Sequence, residues 1–136
     1  MPRVYVERRE LPGDLLRLLE TRTAAAECTP PLDVVETDSA IEFLLDVPGV
    51  QPDDIEVVFA QNVILITGTK RATLCEDREA GFHMAERAFG RFARAVSLEG
   101  AYDTASASAT LREGELRVVL PRLDDRRSRQ IRIPIR

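Results

Sequence analysis

A chain of 136 residues, 44% hydrophobic and 31% charged, has the size and balance of one globular domain with short appendages. With no Trp, five Phe and two Tyr, its core must be mostly aliphatic, drawn from Val, Ile and Leu. A net charge of −4 argues against general affinity for nucleic acid, and no apolar run approaches the length of a membrane span.

The charge is unevenly placed. Residues 122–136 hold six Arg against Asp124 and Asp125, a local +4 that leaves −8 on residues 1–121. No aromatic side chain accompanies those arginines to stack on bases, so they read as a solvated tail rather than an RNA contact. Cys28 and Cys75 fit no metal or redox spacing. Two lone thiols suit a reducing cytoplasm without a structural disulfide. The first residues contain no apolar stretch of the kind a secretory signal needs.

Residues 1–30 form an arm with its own pattern. Pro12-Gly13-Asp14 is a helix-start signal, with Asp14 placed to cap the first turn. Leu11, Leu15, Leu16, Leu18 and Leu19 then recur at helical spacing, and Ala24, Ala25 and Ala26 extend the pattern toward Glu27. Pro30-Pro31 stops it. A helix this short is marginal alone in water and needs a surface to pack on. That surface is either its own domain or a partner, and the leucines are the candidate client-binding residues if it is the second.

From Leu32 the period changes to two. A short strand runs to Glu36 and ends at the turn signal Thr37-Asp38-Ser39. Ile41, Phe43, Leu45 and Val47 alternate with Glu42, Leu44 and Asp46, the pattern of a half-buried strand. Pro48-Gly49 and Pro52-Asp53-Asp54 are turns. Ile55, Val57 and Phe59 alternate in the next strand, and Gln61-Asn62 turns it into Val63-Ile64-Leu65-Ile66-Thr67. That run is apolar on both faces, as expected of a central strand. Residues 70–86 break the rhythm, with charges of both signs and Gly81. A loop of this length inside a compact domain usually has a job. Residues 91–98 are strand-like again, with Phe92, Val96 and Leu98 in phase.

Residues 106–121 read as a hairpin. Gly114 can take a positive φ without a Cβ clash, which a tight turn requires. Leu116, Val118 and Leu120 fall on one face of the second strand, and Pro121 ends it for lack of an N–H. The first strand, around Ala107, Ala109 and Leu111, carries mostly small side chains and should leave a shallow trough. At the end of the sequence Ile131, Ile133 and Ile135 alternate with Arg132 and Pro134. Pro134 makes this an edge or add-on strand, and three isoleucines on one face need an apolar partner. The many short strands and turn signals predict an all-β fold, an immunoglobulin-like antiparallel sandwich.

Candidate chemistry is sparse. His83 stands alone in the long loop, and Asp53-Asp54 is accounted for as a turn pair. Neither supports catalysis, and no cofactor or metal is expected. A binding module serving one defined partner is a further reading of such a sandwich, but it would not need the isoleucine tail.

Several stretches resemble the small heat-shock proteins, built on the α-crystallin (Hsp20) domain. Asp46-Val47-Pro48-Gly49-Val50, Pro52-Asp53-Asp54-Ile55, and Leu65-Ile66-Thr67-Gly68 resemble the family's early blocks. Arg87, Phe89-Gly90, Phe92 and Arg94 resemble its arginine–phenylalanine–glycine–phenylalanine block. Ala109, Gly114 and Leu116 resemble its hairpin signature, and Ile133-Pro134-Ile135 its terminal isoleucine–x–isoleucine motif. Glu113 and Glu115 depart from the asparagine and valine usual beside that glycine.

The resemblance implies an α-crystallin domain over residues 31–121, with an arm before it and an extended tail over 122–136. It implies an ATP-independent holdase that binds partly unfolded proteins and prevents their aggregation. It gives residues 70–86 the task of pairing with a neighbouring subunit, with Phe82, Arg87, Phe89 and Arg94 near that contact in a homodimer that assembles further. It also implies that residues 131–135 dock on another subunit in a groove lined by Ile55, Val57, Phe59, Ala107, Ala109 and Leu111. Burying Ile133 and Ile135 would contribute roughly 3–6 kcal/mol gross, at about 1.5–3 per side chain. Ordering the tail cancels much of that, so the contact is suited to exchange.

Overall fold

The computed structural model describes residues 3–6, 22, 24–72 and 76–123, the first four as backbone alone. Among these residues, eight strands lie in two four-stranded sheets. They are β1 (Arg3–Val6), β2 (Leu32–Glu36), β3 (Ala40–Asp46), β4 (Ile55–Ala60), β5 (Val63–Lys70), β6 (Gly90–Ser97), β7 (Ser108–Arg112) and β8 (Glu115–Pro121). One sheet has the order β1-β4-β5-β6 and the other β2-β3-β8-β7. All pairs are antiparallel except β1 with β4, so the fold is a nearly all-antiparallel sandwich, as the alternation predicts.

The period-two residues meet between the sheets. Ile41, Phe43 and Leu45 of β3 and Leu116, Val118 and Leu120 of β8 face Val57, Ile64, Ile66 and Phe92 of the opposite sheet. Phe43, Leu45, Val57 and Leu116 are fully buried. No polar or charged residue among those described is buried, so the core is held mostly by aliphatic packing, with Phe43, Phe92 and Tyr102 as its buried aromatics. β5 is the inner strand expected of a run apolar on both faces. It lies between β4 and β6, and Ile64, Leu65 and Ile66 are all buried.

Two of the turns are two-residue hairpins with positive φ at both positions. Gln61 and Asn62, at 50° and 60°, join β4 to β5; Glu113 and Gly114, at 51° and 79°, join β7 to β8. This left-handed pair matches the twist of the flanking strands. The second turn also docks. The Gly114 carbonyl accepts the Val47 N–H at 2.7 Å, and a Cβ on Gly114 would stand 3.0 Å from Pro48 Cα. The hairpin tip is thereby fixed against the Pro48-Gly49 turn.

The structure corrects two expectations. Thr104–Ser106 is a 3-10 turn, so the first strand of the hairpin begins at Ser108 rather than Ser106. Arg3–Val6, within the arm expected to be partly helical, is a strand. Arg22 and Ala24 have helical backbone, whereas the five leucines lie outside the described residues.

Candidate protein-interaction surface

No cluster of three or more His, Cys, Asp or Glu among the described residues could hold a metal, and no helix among them is long and apolar enough to cross a membrane. Asp54 is engaged structurally: Arg71 donates to its Oδ1 through Nη2 at 2.8 Å and Nε at 3.1 Å. His83 is exposed in the loop. What the surface does offer is sheet edges and apolar side chains.

The outer edge of β2 is the first such surface. Among the described residues β2 pairs only with β3, and Val34 and Val35 are 42% and 41% exposed. An open edge with uncovered valines is a template for another strand. The second surface is the long loop between β5 and β6. Its described residues form no strand, and Phe82 and Met84 are 90% and 74% exposed. Near its end Phe89 is clamped by cations, with Arg87 Cζ 4.7 Å and Lys70 Nζ 5.4 Å from the ring centroid. Both lie within cation–π range, so they hold Phe89 at the root of the loop. Arg94 is not part of this cluster; it lies further along β6, level with Ile66. Phe82 and Arg87 are exposed, whereas Phe89 and Arg94 are half-buried.

The start of β6 is closed off by residues that sequence reading did not single out. The N–H groups of Glu27 and Cys28 donate to the Arg91 carbonyl at 2.7 and 3.2 Å, and Arg91 Nε donates to Glu27 Oε1 at 2.9 Å. That guanidinium holds the Glu27 carboxyl below the usual carboxylate range. The Cys28 thiol donates toward the Gly90 carbonyl at 3.5 Å, and burial raises its pKa. Gly90 sits at φ +109°, and a Cβ there would come within 2.7 Å of Glu27 Cβ. A glycine before Phe92 is the trace of this contact in the sequence, but its partner lies more than sixty residues earlier.

The expected tail groove resolves into two strands on opposite sheets. Ile55 and Val57 of β4 and Ala109 of β7 are buried, while Phe59, Ala107 and Leu111 are partly buried against the core. The outer edge of β4 is covered by β1, in parallel, with Val4 level with Val57 and Val6 with Phe59. Ile131, Ile133, Pro134 and Ile135 lie outside the described residues.

Residues 33–136 match the model of the Hsp20/alpha crystallin family. The chain belongs to that family. It is 29% identical over 105 residues to small heat shock protein C4 of Rickettsia felis, a match covering 77% of this chain and 64% of that protein. It is 33% identical over 103 residues to a 17.7 kDa class II heat shock protein of Arabidopsis thaliana, covering 75% of this chain and 66% of the relative. The matched stretch thus spans about two thirds of the length of these relatives. Heat shock protein 16.0 from Schizosaccharomyces pombe superposes with a TM-score of 0.68 at 26% identity, covering 81% of this chain and all of that one. A small heat-shock protein from Xylella fastidiosa, whose structure is described as revealing a distinct high order structure, gives 0.67 at 27%, with the same coverage. The Hsp20 fold expected from the motifs is therefore the fold of this chain.

Proposed function

We propose that this protein is an ATP-independent holdase chaperone of the cytoplasm, working as a homodimer that assembles further through its tail. The observation that carries the reading is the pairing of family membership with two exposed apolar surfaces on an otherwise well-buried sandwich. The bare β2 edge and the Phe82–Met84 loop are complementary. One offers unpaired backbone and two valines, and the other offers apolar side chains on backbone that forms no strand of its own. Two copies related by a twofold axis would satisfy both at once, each loop adding to the other's β2. Arg87, Phe89 and Arg94 then stand beside the contact.

Client capture falls to the leucine arm and to apolar surface freed when tail contacts release. No step requires a nucleotide, cofactor or metal, and the reading involves neither nucleic acid nor stable membrane association. The test is light scattering from a model client heated without nucleotide. A few-fold molar excess of this protein is expected to suppress the scattering. Scattering unchanged at that excess would remove the holdase assignment and leave a sandwich that binds one defined partner.

A further inference from the structure

The β4 edge is where the tail was expected, yet it is occupied by four residues of the same chain. β1 lies parallel to β4, with Arg3 level with Glu56, Val4 with Val57, Tyr5 with Val58 and Val6 with Phe59. It also approaches β7 of the facing sheet, so it sits at the mouth between the two sheets. These are the two strands that line the expected groove.

The occupant and the tail share a pattern. Arg3-Val4-Tyr5-Val6 and Arg132-Ile133-Pro134-Ile135 each read as arginine, β-branched, variable, β-branched. Set in the same register, Arg132 stands opposite the exposed Glu56, and Ile133 and Ile135 stand at the inward positions Val57 and Phe59. Charge at Glu56 and apolar character at Val57 and Phe59 therefore suit the tail residues. Pro134 is compatible with this placement. In a parallel ladder alternate residues direct their backbone groups to opposite sides, so Ile133 and Ile135 can bond to β4 while Pro134, which has no N–H, faces away.

We propose that the β4 edge is a shared berth. Arg3–Val6 occupies it within the chain, and residues 131–135 of a second copy take it by exchange. The inference rests on the tail-docking reading above and adds a competitor to it. Occupancy by β1 is unimolecular and does not depend on protein concentration, whereas occupancy by a neighbour's tail grows with concentration. β1 thus holds chains back from tail-linked assembly when they are dilute and yields when they are crowded. A client that draws away the first residues would likewise open the berth.

The test locks β1 in place. In a full-length chain carrying Cys28→Ser, Cys75→Ser, Ile133→Ala and Ile135→Ala, Tyr5→Cys and Val58→Cys are introduced. Neighbouring strands lie about 4.8 Å apart, within the Cα separation a disulfide accepts. A fluorescein-labelled peptide of residues 126–136 then reports on the berth by anisotropy. An intramolecular bridge is expected to form on oxidation. The oxidised chain should bind the peptide at least about tenfold more weakly than the same chain after dithiothreitol, because its competent state has been removed. Glu56→Arg in the reduced chain should weaken the peptide as well. Failure of the bridge to form overturns the placement of β1 on β4. A bridge that forms without changing peptide affinity overturns the sharing of the edge. A peptide that binds neither form of a chain that does bridge overturns the exchange and identifies the fault as the tail-docking reading rather than the position of β1.

Discussion

The outward-facing sides of two strands, β4 and β2, are treated in opposite ways. β4 has a fourth strand laid against it from its own chain, and its inward residues Ile55 and Val57 are buried. Among the described residues no strand lies beyond β2, and two of its five residues are large, apolar and about 40% exposed. An unpaired edge is an invitation to pair, so a protein that leaves one bare while covering another assigns them different partners. On the readings proposed above, the covered edge is open to exchange and the β2 edge to simple addition.

The largest expected effect comes from removing the core that both edges depend on. Phe43 is fully buried between the sheets, and Phe43→Ala should cost about 3–5 kcal/mol, read as a lower midpoint in urea with both edges lost together. Next is a change confined to the bare edge. Val34→Lys with Val35→Lys places charge on a strand that, among the described residues, pairs only with β3. It should convert dimer to monomer in sedimentation while shifting stability by no more than about 0.5 kcal/mol. A dimer that survives would mean that the β2 edge is not the subunit contact.

Smaller effects sharpen the comparison. Gly114→Ala puts a Cβ at φ +79° and against Pro48, and should cost about 1–2 kcal/mol in the urea midpoint, leaving dimer affinity unchanged. The smallest is a pH effect at the start of β6. Arg91 holds the Glu27 carboxyl below its ordinary pKa, so the contact is fully present above the unfolded value and is lost as pH falls through the lowered one. Amide exchange at Cys28 and Arg91, corrected for its intrinsic pH dependence, should show protection constant from neutral pH through the ordinary carboxylate range and falling only below it. Glu27→Gln should abolish that step without changing global stability measurably, because Glu27 is exposed.

The strands of the sandwich were legible because their signals are local. Alternation at residues 41–47 and 116–120 states which side chains go inward, and Gln61-Asn62 and Glu113-Gly114 state where the chain reverses. The start of β7 was misread because Ser106 and Ala107 carry no periodic apolar signal, and Thr104–Ser106 closed into a 3-10 turn instead. β1 was missed for a related reason. Four residues beside Glu7, Arg8 and Arg9 are too short to show a period, although Val4, Tyr5 and Val6 all favour strand. Their partner is some fifty residues away, and no local pattern announces it.

The sequence by itself determined the inward faces, the hairpin turns and the family to which they belong, since each rests on neighbours within a few residues. Only the tertiary structure decided the sheet order β2-β3-β8-β7, the closing of β6 by Glu27 and Cys28, and the capture of the β4 edge by Arg3–Val6. These depend on hydrogen bonds between backbones distant in the chain. Every residue but proline offers the same donor and acceptor, so side-chain identity does not name the partner.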